Sequence, residues 1–288
     1  YFVKTTDPLL VNVQTPTSTG TSQVPMNIGK QLTEGITAVL NYTILQKENM
    51  NLNFNMNARH ITSEYRNIGT ALDQYNKENS SSNLTRYYDG GSSSDLWAVR
   101  SAGIDPGSGR EIFIKKDGTQ TFVHDTDDEV VVGNSTPKLE GVIGASFYYK
   151  GFSASVNLRY RLGGQIFMST LYNKVENISE NDLQYNQDKR ALYDRWQKPG
   201  DATKFKSISL TSSTPISSRF VVDENTLSGE SISLGYETSA AWLRHVGVSS
   251  MTVRGYMNDI FRLSTVKEER GLDYPFARTV AFSLGIRF

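Results

Sequence analysis

Between Asn49 and Arg59 the chain alternates without a break. Met50, Leu52, Phe54, Met56 and Ala58 occupy one set of positions and Asn49, Asn51, Asn53, Asn55 and Asn57 the other. A strand turns successive side chains to opposite faces, so this period of two predicts a strand with one apolar and one amide-lined face. The rule recurs at Ile36, Ala38, Leu40, Tyr42 and Ile44, at Ile143, Ala145, Phe147 and Tyr149, and at Phe152, Ala154, Val156, Leu158 and Tyr160. It ends the chain at Val280, Phe282, Leu284, Ile286 and Phe288. The pattern predicts about eight strands, near 1–13, 33–46, 49–63, 138–149, 151–164, 217–238, 246–259 and 277–288. Each approaches the roughly 9–11 residues with which a tilted strand crosses a bilayer, against about 5–6 for a soluble strand.

A soluble sandwich alternates as well, and loop length separates the two. The connections at 46–49 and 150–151 are short, those at 65–138 and 164–217 long, the next near 239–246 short, and the last, 259–277, long. Short turns at one end and long loops at the other mark an outer-membrane barrel, whereas a sandwich has no reason to sort them. The expected fold is all-β: a transmembrane antiparallel β-barrel with its apolar face to lipid. The asparagine face then lines a wet lumen, where water satisfies amides that a packed core would have to pair one by one. Eight strands can close alone by filling the lumen with side chains, or form an arc of a wider wall. Periodicity is compatible with both.

Composition narrows the function. Thirty acidic residues balance thirty basic ones in 288 residues, and no basic cluster supplies the footprint of a nucleic-acid binder. Absence of cysteine excludes a disulfide framework, a thiolate metal site and a cysteine nucleophile. No run approaches the roughly 18 apolar residues of a membrane-spanning helix. Tyr1-Phe2-Val3-Lys4 resembles no export signal, so the chain reads as a piece of a longer protein.

The stretches 65–137 and 165–216 are expected to be structured extracellular loops, since loops this long that keep structure usually carry function. Ile112 to Thr119, with Asp117-Gly118 at its centre, predicts a hairpin, and 181–197 a short helix ended by Pro199-Gly200. Tyr87, Tyr88, Trp97, Tyr172, Tyr193 and Trp196 are the candidate contacts for substrate or partner. They could stack on sugars or clamp a protein, or simply hold the loops together and anchor the aromatic girdle. His124-Asp125-Thr126-Asp127-Asp128-Glu129 offers oxygen ligands without the spaced Asp and Gly of a calcium loop and reads as a solvated acidic turn. His60 and His245 stand alone, and Gly107-Ser108-Gly109-Arg110 lacks a phosphate loop's ending. No catalytic residue, metal or cofactor is expected.

Several short segments resemble one family in order. Asp7-Pro8-Leu9-Leu10, Pro16-Thr17-Ser18-Thr19-Gly20, Asn27-Ile28-Gly29 and Glu34-Gly35-Ile36 come first, then Gly133-Asn134-Ser135-Thr136-Pro137-Lys138 and Tyr149-Lys150-Gly151-Phe152. Asp194-Arg195-Trp196, Pro199-Gly200-Asp201, Ser218-Arg219-Phe220-Val221, Leu234-Gly235-Tyr236 and Tyr274-Pro275 with Arg278-Thr279 complete them. Together they look like the C-terminal barrel of SusC/RagA TonB-linked outer-membrane transporters. Leu227 to Ser231 departs from the family's more basic, leucine-rich strand start. The resemblance implies about the last eight strands of a 22-stranded barrel with an N-terminal plug, in the outer membrane of a Gram-negative bacterium. It implies import of oligosaccharides or peptides, a SusD-like surface lipoprotein as lid, and a TonB complex engaged through parts absent from these residues. Phe288 would be the C-terminal signal read by the barrel-assembly machinery. The competing expectations are a passive pore or surface adhesin on a similar barrel, and a secreted carbohydrate-binding β-protein, which would be soluble without detergent.

Overall fold

The structure, a computed structural model, describes residues 1–14, 20–21, 23–210, 212–267 and 278–288. β1 (Phe2–Thr6) is followed by a small hairpin, β2 (Leu10–Gln14) and β3 (Gln23–Asn27), and then by the long strands β4 (Lys30–Lys47) and β5 (Met50–Arg66). A second small sheet follows: β6 (Asp95–Ile104), β7 (Glu111–Ile114), β8 (Gln120–Thr121) and β9 (Glu129–Asn134). The wall resumes with β10 (Leu139–Tyr149), β11 (Phe152–Phe167), β12 (Val221–Thr238), β13 (Ser250–Ser264) and β14 (Val280–Arg287).

Eight strands form one antiparallel sheet in the order β1-β4-β5-β10-β11-β12-β13-β14, each next to its successor in the wall. β1 and β14 are its two edges, so the described residues form an arc. Ile36, Leu40, Tyr42 and Ile44 on β4, and Phe282, Leu284 and Ile286 on β14, are exposed on the apolar face, as a surface solvated by hydrocarbon requires. On the opposite face one register row runs Asn41, Asn55, Gly144, Asn157, Ser231 and Asn258, with Asn157 Nδ2 donating to Ser231 Oγ at 3.0 Å. The next row pairs Ser155 and Ser233, their hydroxyls 2.7 Å apart. Ion pairs Arg159–Glu230 and Arg161–Glu140 lie further along this lumen face.

Turns sort as expected. Glu48-Asn49 and Lys150-Gly151 close two hairpins, and 239–249, with a single helical turn at Ala241–Arg244, closes a third at the same end. Lys150 and Gly151 both have positive φ, 45° and 91°, the backbone of a tight hairpin turn. The described residues of the segments 7–29, 67–138, 168–220 and 265–279 all lie at the other end.

Two expectations are corrected and a third is extended. The predicted first strand, 1–13, breaks at Asp7-Pro8, where proline removes a ladder donor; its second half pairs with β3. The predicted hairpin around Asp117-Gly118 forms, with Asp117 Oδ1 accepting from Thr119 N at 2.8 Å. It is, however, part of a four-stranded sheet β8-β7-β6-β9. The predicted helix over 181–197 is instead a 3-10 turn, Glu180–Gln184, and a short helix, Arg190–Tyr193. Polar side chains there bind the backbone in competition with a continuous helix: Asp182 accepts from Ser179 N, Gln187 donates to Tyr185 O, and Asp188 accepts from Arg190 N. The segments Pro16 to Thr19 and Tyr274-Pro275, and the first residue of the predicted strand 277–288, lie outside the described residues.

At Leu227 to Ser231 the register of β12 is kept by a bulge. Leu227 and Gly229 point with the apolar face, and Ile232 resumes it beyond the extra residue.

Candidate functional site

The two longest loops fold into one body. Val99 bridges Ser217, Ser218 Oγ accepts from Ser101 N at 3.0 Å, and Gly109 O accepts from Ser207 N at 3.1 Å. Trp196 Nε1 donates to Pro106 O at 2.8 Å. Gly109, at φ 68°, lies directly beneath the Trp196 ring, where any Cβ would come within 2.4 Å of it.

At the centre of this junction Arg219 joins two buried carboxylates from different loops. Its Nη2 donates to Glu111 Oε2 at 3.0 Å and to Glu176 Oε1 at 2.9 Å, and its Nη1 to Glu176 Oε2 at 3.2 Å. Ser217 Oγ donates to Glu111 Oε1 at 2.5 Å and Thr214 Oγ1 to Glu176 Oε1 at 3.0 Å. Burial opposes the charge of Arg219, but the hydrogen bonds it donates to both glutamates outweigh it and raise its pKa. Beside it the buried Arg195 donates to the carbonyls of Ala191, Lys206, Val175 and Glu176, and burial lowers its pKa. A third arginine, Arg86, is buried against Glu129 through two bonds of 2.8 Å. Buried charges survive only when paired and hydrogen-bonded like this. The arrangement fastens the two loops to each other.

The six aromatic candidates do not converge. Tyr87 packs between Tyr65 and Tyr75, with ring centroids at 5.2 and 5.5 Å, in the apolar cluster of Val11, Ile28, Ile68 and Leu72. Tyr172 packs on Phe167 and Phe220 and donates its hydroxyl to Thr214 O at 2.8 Å; burial raises its pKa. Trp196 is held by Pro106 and Gly109. Trp97 packs at a tilt against Tyr88, ring centroids 5.0 Å apart, and Tyr88 is 37% exposed. Tyr193 is 74% exposed, and Leu192, Leu183 and Tyr185 are exposed as well. Phe288, 84% exposed, lies at the turn end of the sheet.

The remaining motifs resolve into local structure. Asp125 caps the turn Thr126–Asp128, Asp128 accepts from Lys116 N at 3.0 Å, and Glu129 pairs with Arg86. His60 Nδ1 lies 2.6 Å from Lys138 O and His245 Nδ1 3.1 Å from Ala241 O. The glycines of 107–110 turn the chain around the Asp105 carboxylate.

His124 packs edge-on to Phe113 and hydrogen-bonds the Ile216 backbone, and burial lowers its pKa below the ordinary 6.5. Its unfolded-state pKa is therefore the higher one, so the loop junction keeps its full stability above about pH 6.5 and loses stability as pH falls below that value. Amide exchange in the segments around Phe113 and Ile216 should quicken from pH 6.5 downward after correction for intrinsic rates, and His124→Gln should flatten the dependence. An unchanged profile in the variant would exclude His124 as the cause.

The sheet, its sorted turns and its exposed apolar face define the wall of an outer-membrane β-barrel. Comparison with known proteins agrees. No family model matches the chain. A curated protein, TonB-dependent receptor P39 of Formosa agariphila, is 23% identical over 308 aligned positions, covering 90% of this chain and 29% of that protein. Among solved structures, the RagAB peptide transporter superposes with a TM-score of 0.73 at 20% identity over 92% of the chain. The RagAB peptide importer in its open-open state gives 0.74 at 19% over 99%. The chain spans 29% and 32% of those two structures' chains, so it is about a third of their length. The likeness to the RagAB structures is one of fold, and in sequence the chain is similar to a TonB-dependent receptor.

Proposed function

We propose that the chain is the C-terminal wall and loop cap of a TonB-dependent importer, working with a SusD-like surface lipoprotein and passing oligosaccharides or peptides. In this reading 67–138 and 168–220 are the extracellular loops, and the turns at 48–49 and 150–151 face the periplasm. A plug and a TonB-contact segment, supplied by sequence outside these residues, give the energy coupling. The barrel-assembly machinery reads Phe288.

The observation that carries the reading is the fusion of the two longest loops into one body by Arg219, Glu111 and Glu176. A passive pore needs no such body, whereas a lid that docks and undocks needs a fixed surface to meet, because ordering loops at each encounter would subtract from affinity. Its outer side presents Leu192 and Tyr193, aromatic and aliphatic anchors of the kind that dominate interfaces.

The test uses the full-length protein in its natural membrane. An affinity-tagged copy is expected to co-purify with a surface lipoprotein, and Leu192→Asp with Tyr193→Asp to weaken that association at least about tenfold, roughly 1.4 kcal/mol. Undiminished association in the double variant removes these residues from the interface, and no lipoprotein partner at all overturns the two-component reading.

A further inference from the structure

The joint between the two long loops contains a cleft of about 220 Å³. The first loop lines it with Arg110 and Phe122, the second with Lys206 and the hydroxyls of Ser207, Ser209 and Ser212. Positive charge is left over there. Arg195, Arg219, Glu111 and Glu176 all act on Lys206, so three cations stand against two carboxylates. Arg219 takes up both acids, and neutral carbonyls take up Arg195. The half-buried Lys206 ammonium has no hydrogen-bond or ion-pair partner among the described residues. Arg110 lies 4.8 Å over the Phe122 ring and faces no carboxylate at ion-pair distance among the described residues. Glu111 also borders the cleft, but Ser217 occupies its Oε1 and Arg219 its Oε2. The Ser209 and Ser212 hydroxyls lie 2.8 Å apart.

We propose that this cleft binds one carboxylate-bearing sugar unit, with its carboxylate at Lys206 and Arg110 and its ring hydroxyls on the serines. The proposal deepens the importer reading and rests on it for the source of the ligand, since extracellular loops are where an arriving solute is first met. A cation withdrawn from water without a partner is costly, and a charge-assisted hydrogen bond to an oxyanion offsets that cost. Serine hydroxyls both donate and accept, as the hydroxyls of a sugar do. The volume lies below the roughly 300–1,000 Å³ of a pocket for a drug-sized ligand, so it suits a single ring rather than a chain. An acidic amino-acid side chain would engage the two cations but leave the serines without a polyhydroxy partner.

The test titrates the full-length protein in detergent with glucuronate, glucose and acetylated glutamate, binding being read by saturation-transfer NMR. Glucuronate is expected to bind at least about tenfold more tightly than either of the others, the worth of one hydrogen bond to a charged group. Lys206→Met, and Arg110→Met at the exposed mouth, should each erase its preference over glucose. Ser209→Ala with Ser212→Ala should erase its preference over acetylated glutamate, and Lys204→Met, an exposed lysine nearby, should change neither. Absence of glucuronate binding, equal binding of glucose, tighter binding of acetylated glutamate, or an unchanged preference in both Lys206→Met and Arg110→Met overturns the proposal. Binding is read apart from transport, so these outcomes leave the importer reading to its own test. Glucuronate binding by a protein that has no lipoprotein partner would instead uphold the site and overturn the two-component reading.

Discussion

Arg219→Leu is expected to unfasten the two long loops from each other while leaving the eight-stranded sheet paired. The substitution removes the cation shared by Glu111 and Glu176, which are 4% and 2% exposed, and leaves both carboxylates buried with only Ser217 and Thr214 as donors. Breaking a buried pair by removing one partner costs about 3–5 kcal/mol, more than the net worth of the pair, because an uncompensated charge stays behind. That cost falls on the loop body, since none of the three residues lies in a strand of the barrel wall. Hydrogen exchange in the intact protein should show protection lost in β6, β7 and 214–220 and retained in β10 and β11. Unchanged protection in the loops would mean that apolar packing around Phe220 and Val175 suffices to join them.

A comparable effect is expected from Gly141→Val, this time on the wall. β5 and β10 pair at Arg59–Glu140 and at Met56–Ile143, with no pair between them. The gap is filled by side chains: Val142 N donates to Asn57 Oδ1 at 3.0 Å, and the buried Tyr160 hydroxyl reaches across β10 from β11 to Asn57 O at 2.8 Å. The reach is possible because β10 has no side chain at Gly141, where a Cβ would sit 2.0 Å from Asn57 O and 2.6 Å from the Tyr160 hydroxyl. Valine must push Tyr160 away and part the strands, exposing a backbone carbonyl to hydrocarbon at a cost of several kcal/mol. Folded barrel, assayed by resistance to unheated detergent and protease, should fall sharply. Tyr160→Phe, which loses the hydroxyl without the clash, should cost about 1–3 kcal/mol. Wild-type yields of folded barrel for Gly141→Val would refute this account of the gap.

The wall was legible in the sequence because a bilayer enforces what water does not. A single polar residue on the lipid side is costly, so Met50 to Ala58 and Val280 to Phe288 keep period two over their whole length, and seven of the eight strands of the sheet fall where the alternation puts them, while the first is cut short at Asp7-Pro8. The fastener was not. Glu111 and Glu176 are isolated acids in polar loops, and nothing local distinguishes them from solvated ones such as Glu180; their burial follows from a partner far along the chain. Arg195 and Arg219 were already present, within Asp194-Arg195-Trp196 and Ser218-Arg219-Phe220-Val221, as pieces of a resemblance whose physical reason only the fold supplies. The aromatic candidates were legible as residues but not as roles, because Tyr87 and Tyr172 differ from Tyr193 only in what packs on them.

The sorting of connections also bears on how such a wall is built. Closing β4 onto β5, or β10 onto β11, spans a two-residue turn, whereas bringing β5 to β10 means closing about 70 residues, an entropic difference of about 3 kcal/mol. Hairpins are therefore the quanta of assembly: each can zip as it enters the bilayer, and the joins between them wait until the loops at the far end have condensed. Arg219 and its two glutamates, besides shaping a surface, join the loop that follows β5 to the loop that follows β11, so the long connections meet each other as well as the strands they link.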